Sequence, residues 1–189
     1  MKKAIDKYTV ERVKELRSQS FAEKDIVEKL SEVYANKATL VKLLIVTPTE
    51  SKKSKYRKAL MILFCLFVLN FLLDVYLIGF DLKIDHDITA FYVFRILISV
   101  VGNLILPIMV FRFKPGYFIV APLFSIHGLH LLYVDVDQYG NYTLPYLVIK
   151  FLLTAILSIF SVALLWKIFP NYLRTFGLID ISKFEFVEP

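Results

Sequence analysis

The stretch ALMILFCLFVLNFLLDVYLIGF, residues 59–80, decides how this chain folds. Its side chains are almost all Leu, Ile, Val and Phe, and about 20 such residues in a helix cross the hydrocarbon core of a bilayer. Lipid offers the backbone no water, so a crossing segment satisfies its own amides as a helix. The only strongly polar side chains in the stretch are Asn70 and Asp74, four apart and therefore on one helical face.

Three further apolar segments follow, at 88–111, 116–134 and 144–169. The expected fold is an all-α integral membrane protein with four transmembrane helices. Residues 1–50 form a cytoplasmic helical hairpin or three-helix unit, 51–58 a basic juxtamembrane linker, and 170–189 a cytoplasmic tail. Hydrophobic residues make up 57% of the 189, which leaves no room for a second large domain. The first apolar run lies behind a charged helical region and reads as a retained anchor rather than a cleaved leader.

Basic residues set the orientation, because Lys and Arg are retained on the cytoplasmic side. Lys52, Lys53, Lys55, Arg57 and Lys58 precede the first segment, Arg112 and Lys114 lie between the second and third, and Lys167, Arg174 and Lys183 flank the fourth. The intervening loops carry Asp81, Asp85 and Asp87 against Lys83, then Asp135 and Asp137. Both termini are therefore expected inside, with the protein in the cell (inner) membrane.

The pI of about 9.3 does not point to nucleic acid, because the charge is unevenly placed. Residues 1–58 hold fifteen Lys and Arg against eight Asp and Glu, five of the bases being the juxtamembrane run. That run suits anionic lipid at the cytoplasmic face. The single cysteine, Cys65, excludes an intramolecular disulfide.

In the N-terminal region Ser20-Phe21-Ala22-Glu23 fits a capping box that starts a helix, with Phe21, Ile26, Val27, Leu30, Val33 and Tyr34 at helical spacing behind it. A third helix over 37–46 stops before Pro48. Leu16, Ser20, Glu23, Ile26 and Leu30, with Ala38-Thr39-Leu40-Val41 as a recognition-helix start, resemble the helix-turn-helix of resolvases and sigma-like regulators. That resemblance implies a membrane-tethered DNA-binding regulator. It departs in the turn, which is a few residues too long and lacks the usual glycine, and the surface mixes Lys with Glu rather than showing a basic stripe.

Ionisable residues inside a membrane are candidates for function. Asp74, Arg95, His127 and Lys150 fall about 10 Å from the outer ends of their segments, with His130 nearer about 6 Å, in one polar layer. Asn70, Ser99, Asn103, Thr154, Ser158 and Ser161 extend polar stripes from it at helical spacing. Three roles are open to the layer: an Asp74 pair with Arg95 or Lys150 that fixes packing, a cavity for an anion or lipid headgroup, and cations that snorkel to the headgroups. A metal site from His127, His130 and Asp74 is a weaker reading, and no metal or cofactor is expected.

No nucleotide-binding glycine loop, His-Glu-x-x-His or Gly-x-Ser-x-Gly is present, so no enzyme is expected. The leading expectation is a protein that acts by contact with a cytoplasmic partner or as a homo-oligomer. By analogy it is an accessory, effector or immunity component, as in a bacterial defence or toxin system. The alternative is an oligomeric channel or transporter lined by the polar layer.

Overall fold

A chain that alternates charged helical stretches with long apolar ones has little use for strands, and every regular element described is helical. The computed structural model describes residues 7–33, 37–85, 90–127, 144–175 and 186. The helices are α1 (Lys7–Ser18), α2 (Glu23–Ser31), α3 (Lys37–Val46), α4 (Glu50–Asp85), α5 (Ala90–Val100), α6 (Leu106–Phe111), α7 (Tyr117–His127) and α8 (Leu144–Ile168). A π-helical turn, Val101–Ile105, joins α5 to α6, and a short 3-10 turn, Leu173–Thr175, follows α8. Two helical stretches are long and apolar enough to cross a membrane, Glu50–Tyr76 and Pro145–Ile168. The apolar stretches Ile96–Phe111 and Tyr117–His127 are shorter.

The chain divides into two compact units, residues 1–56 with 165–189, and residues 57–164. In the first, Val13, Leu16, Ile26, Val27, Leu30, Leu40, Val41, Leu44 and Ile45 form a buried core, with Phe21, Leu43, Tyr172 and Phe186 packed on it. Helix α1 ends in a Schellman motif. The Ser20 amide donates to the Arg17 carbonyl at 3.0 Å, and the Phe21 amide to the Leu16 carbonyl at 3.2 Å. Ser20 is left-handed, with φ 64°.

This geometry overturns the expected capping box. Ser20 closes the helix before it, so the N-cap of α2 is Ala22, which offers no side-chain cap, and the Glu23 carboxylate is taken by Arg17. A side chain in the left-handed region costs about 1–2 kcal/mol, part of which glycine gives back as lost unfolded-state entropy. Ser20→Gly is therefore expected to stabilise the protein by about 0.5–1 kcal/mol, read as a raised thermal midpoint in detergent. A lowered midpoint would mean that the serine hydroxyl contributes more than the strain costs.

Arg17, with a side chain only 10% exposed, holds three helices together. Its Nε and Nη2 donate to the two Glu23 carboxylate oxygens at 2.9 and 3.1 Å. Nη1 donates to the Thr47 carbonyl at 2.7 Å and Nη2 to the Leu44 carbonyl at 3.1 Å, so the guanidinium caps the end of α3.

Residues 51–58, the expected linker, are helical and lie in the opening of α4. Thr49 accepts the Lys52 amide on its hydroxyl at 3.3 Å, and Glu50 in the first turn accepts from the Lys53 ammonium at 2.7 Å. That hydrogen bond holds the Glu50 carboxyl below its ordinary range, against a smaller opposing push from burial. With a cap, an acidic first turn and a run of Lys and Arg, nothing interrupts the helix before the apolar stretch.

In the second unit the expected span 88–111 is one helical run from Ala90 to Phe111 with a widened turn inside it. Pro107 cannot donate a backbone hydrogen bond, and its ring would press on the carbonyl of Asn103 in a regular helix. The chain answers with a π turn, in which the Leu106 amide donates five residues back to the Val101 carbonyl. Gly102 sits in that turn. A Cβ built on it would lie 2.7 Å from the Cβ of Phe124 on α7, so only glycine lets the two backbones approach this closely.

Candidate functional site

The interior of the second unit buries a polar cluster among apolar side chains such as Leu63, Phe67, Phe118 and Leu157. Asn70 and Asp74 from α4, Ser99 from α5, Asn103 from the π turn, Ser125 from α7 and Lys150 from α8 are all buried, and Lys150 is 0% exposed. Each sits one or two turns from its neighbour on a face that the same helix keeps away from its exposed Leu, Ile and Val.

The six side chains are bonded to one another. The Lys150 ammonium pairs with Asp74 Oδ1 and donates to Asn70 Oδ1 at 2.7 Å and to the Asn70 carbonyl at 3.4 Å. The other carboxylate oxygen, Asp74 Oδ2, accepts from Ser99 Oγ at 2.5 Å and from Asn103 Nδ2 at 2.9 Å. Asn103 Oδ1 in turn accepts from Asn70 Nδ2 at 2.8 Å and from Ser125 Oγ at 2.9 Å. One carboxylate, one ammonium, two amides and two hydroxyls thus tie α4, α5, the π turn, α7 and α8 together. In a low-dielectric interior such bonds strengthen one another, and each member left without its partner is expensive.

Among the residues singled out from sequence, Asn70, Asp74, Ser99, Asn103 and Lys150 come together here. Lys150 turns inward rather than snorkelling outward. Ser161 is buried and donates to the Phe118 carbonyl at 2.7 Å, a second tie between α8 and α7. Ser158 is half-buried and donates to the Thr154 carbonyl at 2.8 Å. Thr154 is buried, and its hydroxyl has no hydrogen-bond partner among the described residues. His127 is exposed at the end of α7. The Arg95 side chain and His130 lie outside the described residues. Ser125 was not anticipated. Its signal is the spacing of Phe118, Ala121 and Ser125, which share one face of α7 and are all buried.

The outer surface of this unit is as apolar as much of its core. Met61, Ile62, Leu69, Leu72 and Val75 on α4, Val93, Phe94, Ile96 and Leu97 on α5, and Ile149, Leu152, Ile156 and Ile159 on α8 are all exposed. Soluble proteins rarely expose contiguous apolar surface on this scale.

The basic run before the first apolar stretch does not form one patch. Lys53 is paired with Glu50, Lys55, Arg57 and Lys58 are exposed, and Lys52 is half-buried. Lys52 lines a cavity of about 130 Å³ in the first unit together with Arg17, Glu23, Thr49, Asn171 and Phe186. Burial pushes the Lys52 ammonium down from its ordinary range, the Glu23 carboxylate opposes that, and Arg17 adds to it.

No protein-family model, no curated protein and no solved structure matches this chain, so its own geometry carries the functional reading.

Proposed function

We propose that the chain is a multi-pass membrane protein whose second unit is a four-helix bundle in lipid, and that it acts by protein contact through the cytoplasmic helical unit. The observation that carries this reading is the surface of residues 57–164, where Leu, Ile, Val and Phe face outward on every helix with described side chains around an interior that holds a buried, mutually bonded set of charged and amide side chains among apolar ones. Without a hydrophobic drive between helices in lipid, small residues and interhelical hydrogen bonds hold a bundle together. Gly102 against Phe124 and the Asp74–Lys150 network supply both.

The first unit has the opposite pattern, an apolar core under a charged surface, and suits water and a protein partner. Such a protein couples a cytoplasmic partner to the membrane, as an accessory, effector or immunity component would. The polar layer supports this role over a pore, because its groups are bonded to one another within a single chain.

The reading is tested by topology. In a Cys65→Ser background, single cysteines at Gln19, Lys114, Gln138 and Lys183 are exposed to a membrane-impermeant maleimide in intact cells. Only the cysteine at 138 is expected to be labelled before lysis. Labelling of 114 and 138 from the same side would remove the four-span arrangement. Ion flux through the purified protein that responds to Lys150→Ala would instead favour an oligomeric channel.

A further inference from the structure

Aromatic side chains with one polar atom collect where a membrane meets water, and the spacing of such residues along a helix measures what the helix crosses. Helix α4 carries Tyr56 and Tyr76, and α8 carries Tyr146 and Trp166. Each pair is twenty residues apart, about 30 Å of helix, which is the thickness of the hydrocarbon core. Tyr76 is 53% exposed and Trp166 65%, and Tyr56 and Tyr146 are half-exposed. At one end the pairing is direct: the Tyr76 and Tyr146 rings lie 5.5 Å apart between centroids, with their hydroxyl oxygens 3.3 Å apart.

The two ends differ in charge. Tyr56 is flanked by Lys55, Arg57 and Lys58, all exposed, and the Lys55 ammonium lies 5.7 Å from the Tyr56 ring centre. Trp166 is followed by exposed Lys167. Tyr146 has Pro145 and Leu147 as neighbours, and its nearest basic residue, Lys150, is buried in the network.

We propose that Tyr56 with Trp166, and Tyr76 with Tyr146, mark the two membrane–water boundaries of this protein, and that the Tyr56 and Trp166 level, where Lys55, Arg57, Lys58 and Lys167 are exposed, selects anionic phospholipid headgroups. The inference rests on the membrane reading above. It gives the polar network a depth: Asp74 and Lys150 stand two and four residues inside the Tyr76 and Tyr146 level, about 3 and 6 Å along their helices. The buried ion pair therefore lies a single turn beneath the outer boundary, shielded from lipid by the exposed apolar side chains beside it. It also puts exposed Cys65, nine residues from Tyr56 and eleven from Tyr76, close to the middle of the bilayer.

Trp166 is the only tryptophan, so the fluorescence of the unmodified protein reports this one position. The full chain is placed in phosphatidylcholine vesicles whose acyl chains carry bromine, a contact quencher, at defined depths. Quenching is expected to be strongest when bromine lies near the carbonyl end of the acyl chain. At that depth, brominated phosphatidylglycerol is expected to quench more than brominated phosphatidylcholine, and Lys167→Gln to reduce the difference by up to about fivefold. Strongest quenching by bromine near the methyl end would overturn the boundary assignment while leaving the membrane reading in place. Equal quenching by the two headgroups would overturn the selectivity. Absence of quenching by any brominated lipid would overturn the membrane reading itself.

Discussion

Lys150→Ala is expected to destabilise the bundle by about 3–5 kcal/mol, because removing one partner strands a buried charge. The Asp74 carboxylate would keep its bonds from Ser99 and Asn103 but lose its counter-ion, and Asn70 would lose the donor on its Oδ1. The penalty belongs to the stranded charge rather than to the pair, and this has a second consequence. Asp74→Leu combined with Lys150→Met removes both charges at similar volume and is expected to recover most of the loss. Unfolding in detergent by heat or by titrated denaturing surfactant reads both variants, and the amount of protein in the membrane fraction reads them in cells. A single variant as stable as the parent would mean that the pair is solvated rather than buried. A double variant no better than the single would mean that the amide and hydroxyl bonds, not the charges, dominate.

Gly102→Val is expected to cost about 3 kcal/mol, the upper end for overpacking. The obstacle is fixed: Phe124 Cβ stands 2.7 Å from the new atom, and a Cβ, unlike the tip of a flexible side chain, cannot turn away. The helices must separate, and separation draws Ser125 on α7 away from Asn103 in the π turn. Gly102→Ala is expected to show the same effect at smaller size. A valine variant with unchanged stability would show that α7 shifts freely and that Ser125 adds little to the network.

Much of this was legible from residue type and spacing. The apolar stretches predict long helices, and Asn70 with Asp74, Ser99 with Asn103, and Lys150 with Thr154 fall four apart on helix faces that are buried. Which base would meet Asp74 was not legible. Arg95 and Lys150 stand at similar distances from the ends of their segments, and spacing along the chain does not give the rotation of α8 that brings Lys150 to Asp74. The π turn, a response of Val101–Ile105 to Pro107, is likewise not encoded in hydrophobic periodicity.

The N-terminal misreading has a similar origin. Ser20 and Glu23 have the spacing of a capping box, but the same serine is the residue at which α1 must reverse direction, and Arg17 competes for the glutamate. Local spacing could not foresee a long-range partner that also caps α3. The helical conformation of 51–58 was hidden because Pro48 and Ser51 read as breakers, whereas the Thr49 hydroxyl behind Pro48 caps the start of α4.

The central claim is that the outward face of residues 57–164 meets lipid, and the one native cysteine tests it without any substitution. A nitroxide attached to Cys65 in vesicles is expected to collide freely with dissolved oxygen, which partitions into hydrocarbon, and hardly at all with a water-soluble nickel chelate. Its depth should place it close to the bilayer centre, since Cys65 is exposed and about 14 Å of helix from Tyr56. Ready collision with the nickel chelate would contradict the account, because it would put this face of α4 in water.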